Sequence, residues 1–267
     1  MHKDSAYRLS IFFLLILVVV EGFFLLRLLK PPAARAVKPK PRPAAAVAKG
    51  KIAIVLDDWG YNLNNEAVLA RIKYPLTLSV LPNLPYSVAI SEKARRLGFE
   101  TILHLPMEPH EKYRLEHNTI LTTMDEAAIT GIMAQDLREF PGIKGISNHQ
   151  GSKATEDPRT MKIIFAELKN RGLYFLDSVV SAHSVCSGLA RSMKIGFARR
   201  DVFLDNSDNP EYIKAQLQKL KAKARSAGYA IGIGHDRKNT LQVLEEMMPL
   251  FAQEGYTFVF VSELAWQ

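Results

Sequence analysis

The sequence predicts an α/β fold, a distorted (β/α) barrel of about seven parallel strands, preceded by an apolar N-terminal segment and a Pro/Ala/Lys-rich tether. Three observations lead there. From Lys51 onward, short apolar runs alternate with helix-length amphipathic stretches, a pattern that implies parallel strands with helices outside. Several helical stretches end at a glycine that opens the next strand, as in Arg171-Gly172-Leu173, Ala227-Gly228-Tyr229 and Glu254-Gly255-Tyr256. Eight strand candidates within about 217 residues suit a barrel better than an open sheet.

The chain reads as three regions, residues 1–30, 31–50 and 51–267. In the first, Ile11–Val20 is unbroken apolar, Glu21-Gly22 interrupts, and Phe23–Leu26 continues before Arg27 and Lys30. Ile11 to Leu29 is 19 residues, about enough to cross a bilayer at ~1.5 Å per residue. This predicts a transmembrane anchor or a signal segment, with Ala34-Arg35-Ala36 offering a small-x-small cleavage pattern. The basic residues follow the segment, and by the positive-inside rule alone they would hold the body in the cytosol. Residues 31–50 carry too little apolar surface to fold and predict a semi-rigid spacer.

Within 51–267, the strand candidates are Ile52–Leu56, Leu76–Leu81, Thr101–Leu105, Ile143–Ser147, Leu173–Asp177, Arg200–Leu204, Tyr229–Ile233 and Thr257–Val261. Helices are expected over 62–73, 86–97, 125–139, 158–171, 210–226 and 239–253, with no break into two domains. Of the net charge of +8, +7 lies in residues 1–50. A nearly neutral body is a poor footprint for nucleic acid. The single cysteine, Cys186, excludes an intrachain disulfide framework and cysteine-rich metal sites. The chain has no G-x-S-x-G, H-E-x-x-H or Walker A sequence.

In parallel α/β folds the reacting groups gather at the carboxyl ends of the strands. Here five such ends deliver Asp57-Asp58, His104, Asn148-His149-Gln150, Asp177-Ser178 and His235-Asp236. Adjacent carboxylates repel unless a cation or proton lies between them, so one of the aspartates can bind a metal while the other acts as base. A carboxylate with two imidazoles and an open position suits zinc or a similar divalent ion. His235 could be a general acid, and Asp177 could orient it or another ring, or merely cap its strand. The Gly232 and Gly234 beside His235 either admit a ligand or relieve packing. Glu108 either faces the cleft or caps a loop. His110, His117 and His183 read as surface residues, and Cys186 as packing.

The ordered set Leu-Asp-Asp-Trp-Gly (56–60), Leu-Pro (81–82), His-Leu-Pro-Met-Glu-Pro (104–109), Asn-His-Gln-Gly-Ser (148–152), Leu-Asp-Ser (176–178), Phe-Leu-Asp-Asn (203–206) and Ile-Gly-His (233–235) resembles the divergent polysaccharide deacetylase family over essentially all of 51–267. The resemblance implies a distorted (β/α) barrel related to metal-dependent carbohydrate de-N-acetylases. It implies Asp58 and His104 as metal ligands, Asp57 as base and His235 as the proton donor to the leaving amine. Better-known relatives carry a second histidine where Glu108 stands, and His149 takes its place as ligand. Gln150 stands where the divergent family usually has methionine.

The resemblance further implies a bacterial envelope setting, with an inner-membrane anchor and the body in the periplasm or otherwise outside the cytoplasm. The expected function is metal-dependent removal of N-acetyl groups from an envelope polysaccharide such as peptidoglycan. A non-catalytic glycan- or protein-binding module on the same fold is the alternative, and phosphoester hydrolysis at the same rim a third.

Overall fold

The computed structural model describes residues 3–28 and 49–265. The chain divides into two compact units, Met1–Ala45 and Ala46–Gln267. In the first, α1 spans Lys3–Leu28. The expected membrane anchor is not supported: among the described residues no helix is long and apolar enough to cross a membrane. The tether expected at 31–50 lies outside the described residues, apart from Lys49 and Gly50.

The second unit is built on β1 (Gly50–Trp59), β2 (Thr77–Val80), β3 (Glu100–Met107), β4 (Gly145–Gln150), β5 (Tyr174–Asp177), β6 (Phe197–Arg199), β7 (Val202–Phe203), β8 (Tyr229–His235) and β9 (Tyr256–Val259). Between and after them run α2 (Glu66–Leu69), α3 (Ser87–Arg96), α4 (Glu126–Glu139), α5 (Pro158–Arg171), α6 (Cys186–Met193), α7 (Pro210–Ala227) and α8 (Lys238–Gln253). The strands form one parallel ladder in the order β6-β5-β4-β3-β2-β1-β8-β7, with β9 on β1. The long β1 carries β8 along one edge, and divides the other between β9 (Gly50–Ala53) and β2 (Val55–Trp59). The ladder does not close, so the expected barrel is an open half-barrel. Just before β7, Asp201 extends the pairing with β8. Its backbone N–H donates to the Ile231 carbonyl (2.8 Å), and its carboxylate accepts from the Ile231 N–H (2.9 Å).

The single strand expected at Arg200–Leu204 is therefore two short pieces flanking Arg200-Asp201. Helix α6 was not expected; Gly188 sits inside it and no side chain caps its start. The helix expected over 62–73 shrinks to α2, because Asn62 holds a local turn through the Asn64 N–H at 2.9 Å. Elsewhere, side-chain caps open several helices and the glycine stops act as read. Asp125, Asp157 and Asn209 each accept an N–H from the first turn of α4, α5 and α7, and Gly172 and Gly228 end α5 and α7 in the left-handed conformation.

Strand alternation sorts the core into two layers. Ile52, Ile54, Leu56, Leu103, Leu105 and Phe175 face the helices. Ala53, Val55, Ile102, Tyr174, Leu176, Ile231 and Ile233 fill the barrel interior. At the interior floor, Thr77 and Tyr174 hydroxyls both donate to Glu100 Oε1 at 2.9 Å. Gly145 is interior too, and a Cβ there would lie 2.7 Å from the Tyr174 ring. We expect Gly145→Ala to destabilise the protein by about 1–3 kcal/mol through overpacking. An unchanged denaturant midpoint would refute this packing.

Candidate active site

Alternation carries Ala53, Val55 and Asp57 into the barrel and would send Asp58 outward. It does not, because the β1–β2 register shifts between Leu56 and Trp59, and Asp58 takes a left-handed φ of 65°. Aspartate tolerates this conformation better than most residues. Both carboxylates thus reach the carboxyl rim. Asp57 is buried, and burial pushes its pKa up; the nearby His104 opposes this and the Asp58 charge adds to it. Burial would raise Asp58 as well, but His104 and His149 outweigh it and hold that carboxyl well below its ordinary range.

His104 shares the interior face with Ile102. Its Nε2 lies 3.3 Å from Asp58 Oδ1 and 3.7 Å from Asp57 Oδ2. Its Nδ1 lies 2.7 Å from Ser147 Oγ, which lies 2.6 Å from Ser79 Oγ, and the Ser79 hydroxyl supports the Asp57 carboxylate. An ionised carboxylate only accepts, so protons along this chain run from His104 Nδ1 to Ser147, to Ser79, to Asp57. The assignment leaves a lone pair on His104 Nε2, facing Asp58. His149 presents Nδ1 at 3.1 Å from Asp58 Oδ1, and its ring meets that of His104 edge-on at 4.9 Å.

One ligand atom from each of Asp58, His104 and His149 falls within 4.8 Å of the others. Asp58 Oδ1 is buried, with His104 Nε2 at 3.3 Å and His149 Nδ1 at 3.1 Å but no well-aligned hydrogen bond. An orphaned carboxylate oxygen beside two imidazole nitrogens fits a borderline divalent cation such as zinc. These three residues would hold it.

Across the rim, His235 Nδ1 lies 2.8 Å from Asp205 Oδ1. The other Asp205 oxygen accepts from the His235 backbone N–H (2.8 Å) and the Thr240 hydroxyl (2.7 Å). Burial alone would lower the His235 pKa; Asp205, Asp58 and Asp57 outweigh it and raise it. Nε2 is left towards the cleft, 3.8 Å from Asp58 Oδ2. The glycines before His235 serve packing. A Cβ on Gly232 would lie 2.7 Å from Leu220 of α7, and one on Gly234 would press on Thr240 and Asp205.

Asp57, Asp58, His104, His149 and His235 line one cavity of about 670 Å³. Asp177 does not join them, which corrects its expected role in orienting a ring. It shares a face with Phe175, on the helix side of β5. Its carboxylate accepts from the Val179 N–H (2.8 Å) and the Ser184 hydroxyl (2.7 Å), capping the strand end. Asp205 does the orienting instead. Glu108 caps a loop through Thr122 and Lys153. His110, His117 and His183 are exposed, and Cys186 is buried. Ser79, Ser147, Asp205 and Arg237 had no expected role. The Phe-Leu-Asp-Asn motif at 203–206 was the one signal for Asp205.

Two outcomes follow from this geometry. Removing the Ser147 hydroxyl frees the His104 ring, so Ser147→Ala should weaken zinc binding by roughly 10–100-fold, measured by competition with a chromogenic chelator. Asp236, hydrogen-bonded by Asn65 at 2.8 Å, is pushed up to about 6 by burial and by the Asp58 charge, against the opposing Asn65 bond. An acid raised in the folded state contributes most below its unfolded pKa, and that contribution is lost as pH rises through the folded one. Asp236→Asn should therefore stabilise the metal-free protein at pH 7 by about 1–2 kcal/mol, allowing for its partial exposure. The gain should vanish near pH 3.5 in denaturant melts.

The chain matches the divergent polysaccharide deacetylase family over residues 54–265. It is 35% identical over 205 residues to YibQ of Escherichia coli K12, an uncharacterized protein, across 77% of this chain and 64% of that one. It thus spans a little under two thirds of that relative's length. An uncharacterized Haemophilus influenzae protein is 31% identical, across 74% of this chain and 71% of that one. Among solved structures, an uncharacterized protein from Agrobacterium tumefaciens C58 shares the fold with a TM-score of 0.77 at 22% identity, across 84% of this chain and 92% of that one. With the family's pattern running the length of the folded body and two relatives above 30% identity, the chain belongs to the divergent polysaccharide deacetylase family.

Proposed function

We propose that the protein is a metal-dependent hydrolase that removes acetyl groups from N-acetylated envelope glycan, with peptidoglycan the nearest substrate. The observation that carries this reading is a carboxylate pair, each with one buried unpartnered oxygen, in one cavity with an Asp205-held imidazole. Asp58, His104 and His149 would hold a divalent ion, zinc being the one their donor set suits. Such an ion supplies Lewis-acid activation of water and of the acyl carbonyl. Asp57, its basicity raised by burial, accepts the proton of the attacking water. His235 gives its Nε2 proton to the departing nitrogen as the C–N bond breaks, and Asp205 fixes the ring for that transfer. Acetate and a free amine are the products. A location outside the cytoplasm belongs to this reading and rests on the substrate class.

The test is acetate release from chito-oligosaccharides and peptidoglycan by the zinc-loaded chain. Asp57→Asn should retain zinc while turnover falls by at least about 100-fold, the lower end of a general base's share. His149→Ala should lose zinc. Full turnover in Asp57→Asn overturns the assignment of the base. Saturable glycan binding with no acetate release, unaffected by chelators, replaces the hydrolase with a binding module.

A further inference from the structure

The catalytic reading leaves the one Lys or Arg side chain of the cleft unused. Arg237 follows the strand end that carries His235 and forms the N-cap of α8. It is half-buried and lines the same cavity as Asp57, Asp58 and His149. Its Nη1 donates to the Asp205 backbone carbonyl at 2.6 Å, and its own N–H to the His235 carbonyl at 2.7 Å. The guanidinium is thereby fixed beside the catalytic imidazole.

It makes no ion pair among the described residues. The nearby Asp205 carboxylate cannot serve, since both its oxygens are committed to His235 and Thr240. Asp57, Asp58 and Glu111 put acidic groups on the cavity wall, and Arg237 is the one Lys or Arg side chain there, next to His235. An anionic group on a bound ligand is therefore drawn to the His235–Arg237 end of the cavity and away from Glu111. The remaining guanidinium N–H groups present the planar fork that matches a carboxylate or phosphate. Phe203 lines the same wall and lies 5.2 Å from the His235 ring, giving a sugar an apolar face beside that point.

We propose that Arg237 determines specificity, selecting an N-acylated sugar with an anionic substituent, carboxylate or phosphate, over a neutral one. The inference rests on the proposed glycan site and narrows its substrate class.

The experiment is calorimetric titration of the full-length, zinc-loaded chain with three probes: N,N′-diacetylchitobiose (neutral), N-acetylmuramic acid (carboxylate) and N-acetylglucosamine 6-phosphate. The parent should bind one of the anionic sugars at least about tenfold more tightly than the neutral one, as a charge-assisted bidentate contact allows. Which of the two it prefers identifies the substituent. Arg237→Gln should bring anionic and neutral sugars to equal affinity without changing the neutral sugar's affinity or zinc uptake, and Arg237→Lys should recover part of the preference. Equal affinity for all three probes in the parent, binding of none, or a preference that survives Arg237→Gln overturns the proposal. So does an equal loss of affinity for every probe in Arg237→Gln, which would mark the residue as structural. A parallel acetate assay separates the two readings. An Arg237-dependent preference without acetate release removes the hydrolase and keeps the selection, whereas acetate release without preference does the reverse.

Discussion

Two carboxylates adjacent in sequence cannot share one face of a regular strand, and the break in β1 stands where Asp57 and Asp58 must do so. Asp58 accepts a left-handed φ of 65° to turn inward, a conformation that costs on the order of 1 kcal/mol or more for a residue with a Cβ. The result is two negative groups a residue apart, each with a buried oxygen that no protein donor reaches. Burial and mutual repulsion both oppose that arrangement. It stands because three imidazoles converge on it from β3, β4 and β8. Each of those rings needs its own strand in parity with β1, so the convergence of imidazole nitrogens on one point dictates which face of four strands carries the polar residues.

The same logic extends outward from the imidazoles. His104 is held from behind by Ser147 and Ser79, one from each strand flanking β3. His235 is held by Asp205, which also receives Thr240 from α8 and, through its carbonyl, Arg237. Phe203 lies against His235 and is in turn covered by the Arg200 guanidinium at 4.8 Å. The two sides of the cleft are thus supported by different elements, and each polar support is itself buried. Positions fixed in this way keep their geometry without a ligand, which is what preorganised catalysis requires.

Much of this was legible in the chain. The apolar runs and terminal glycines placed most of the elements, and the strand-end histidines and aspartates marked the rim. The rule of strand ends was too coarse for Asp177. Counting alternation from Tyr174 and Leu176 would have put it on the helix side with Phe175. Asp205 escaped for a different reason. It follows a two-residue strand that sequence merges with its neighbour, because the chain there crosses the barrel gap rather than running in a ladder. The β1 break was illegible as well, since nothing in Leu-Asp-Asp-Trp marks a register shift. A regular strand would have pointed one aspartate outward, and only the pairing with β2 reveals both facing in.

Such an arrangement favours chemistry over simple binding. A surface evolved only to grip a glycan gains nothing from unpartnered carboxylate oxygens; replacing them with amides would relieve repulsion and retain hydrogen bonding. Hydrolysis of an amide gains from them directly. It needs a base strong enough to take a proton from water and an acid that still carries its proton at neutral pH, on opposite sides of the bond that breaks. Burial makes Asp57 the stronger base of the carboxylate pair, while Asp205 raises the pKa of His235 against the opposing effect of burial. Asp58, held ionised by two imidazoles, is left free of proton transfer and is suited to a cation. Two groups shifted upward and one downward, within one cavity, support the proposed hydrolase over the binding module.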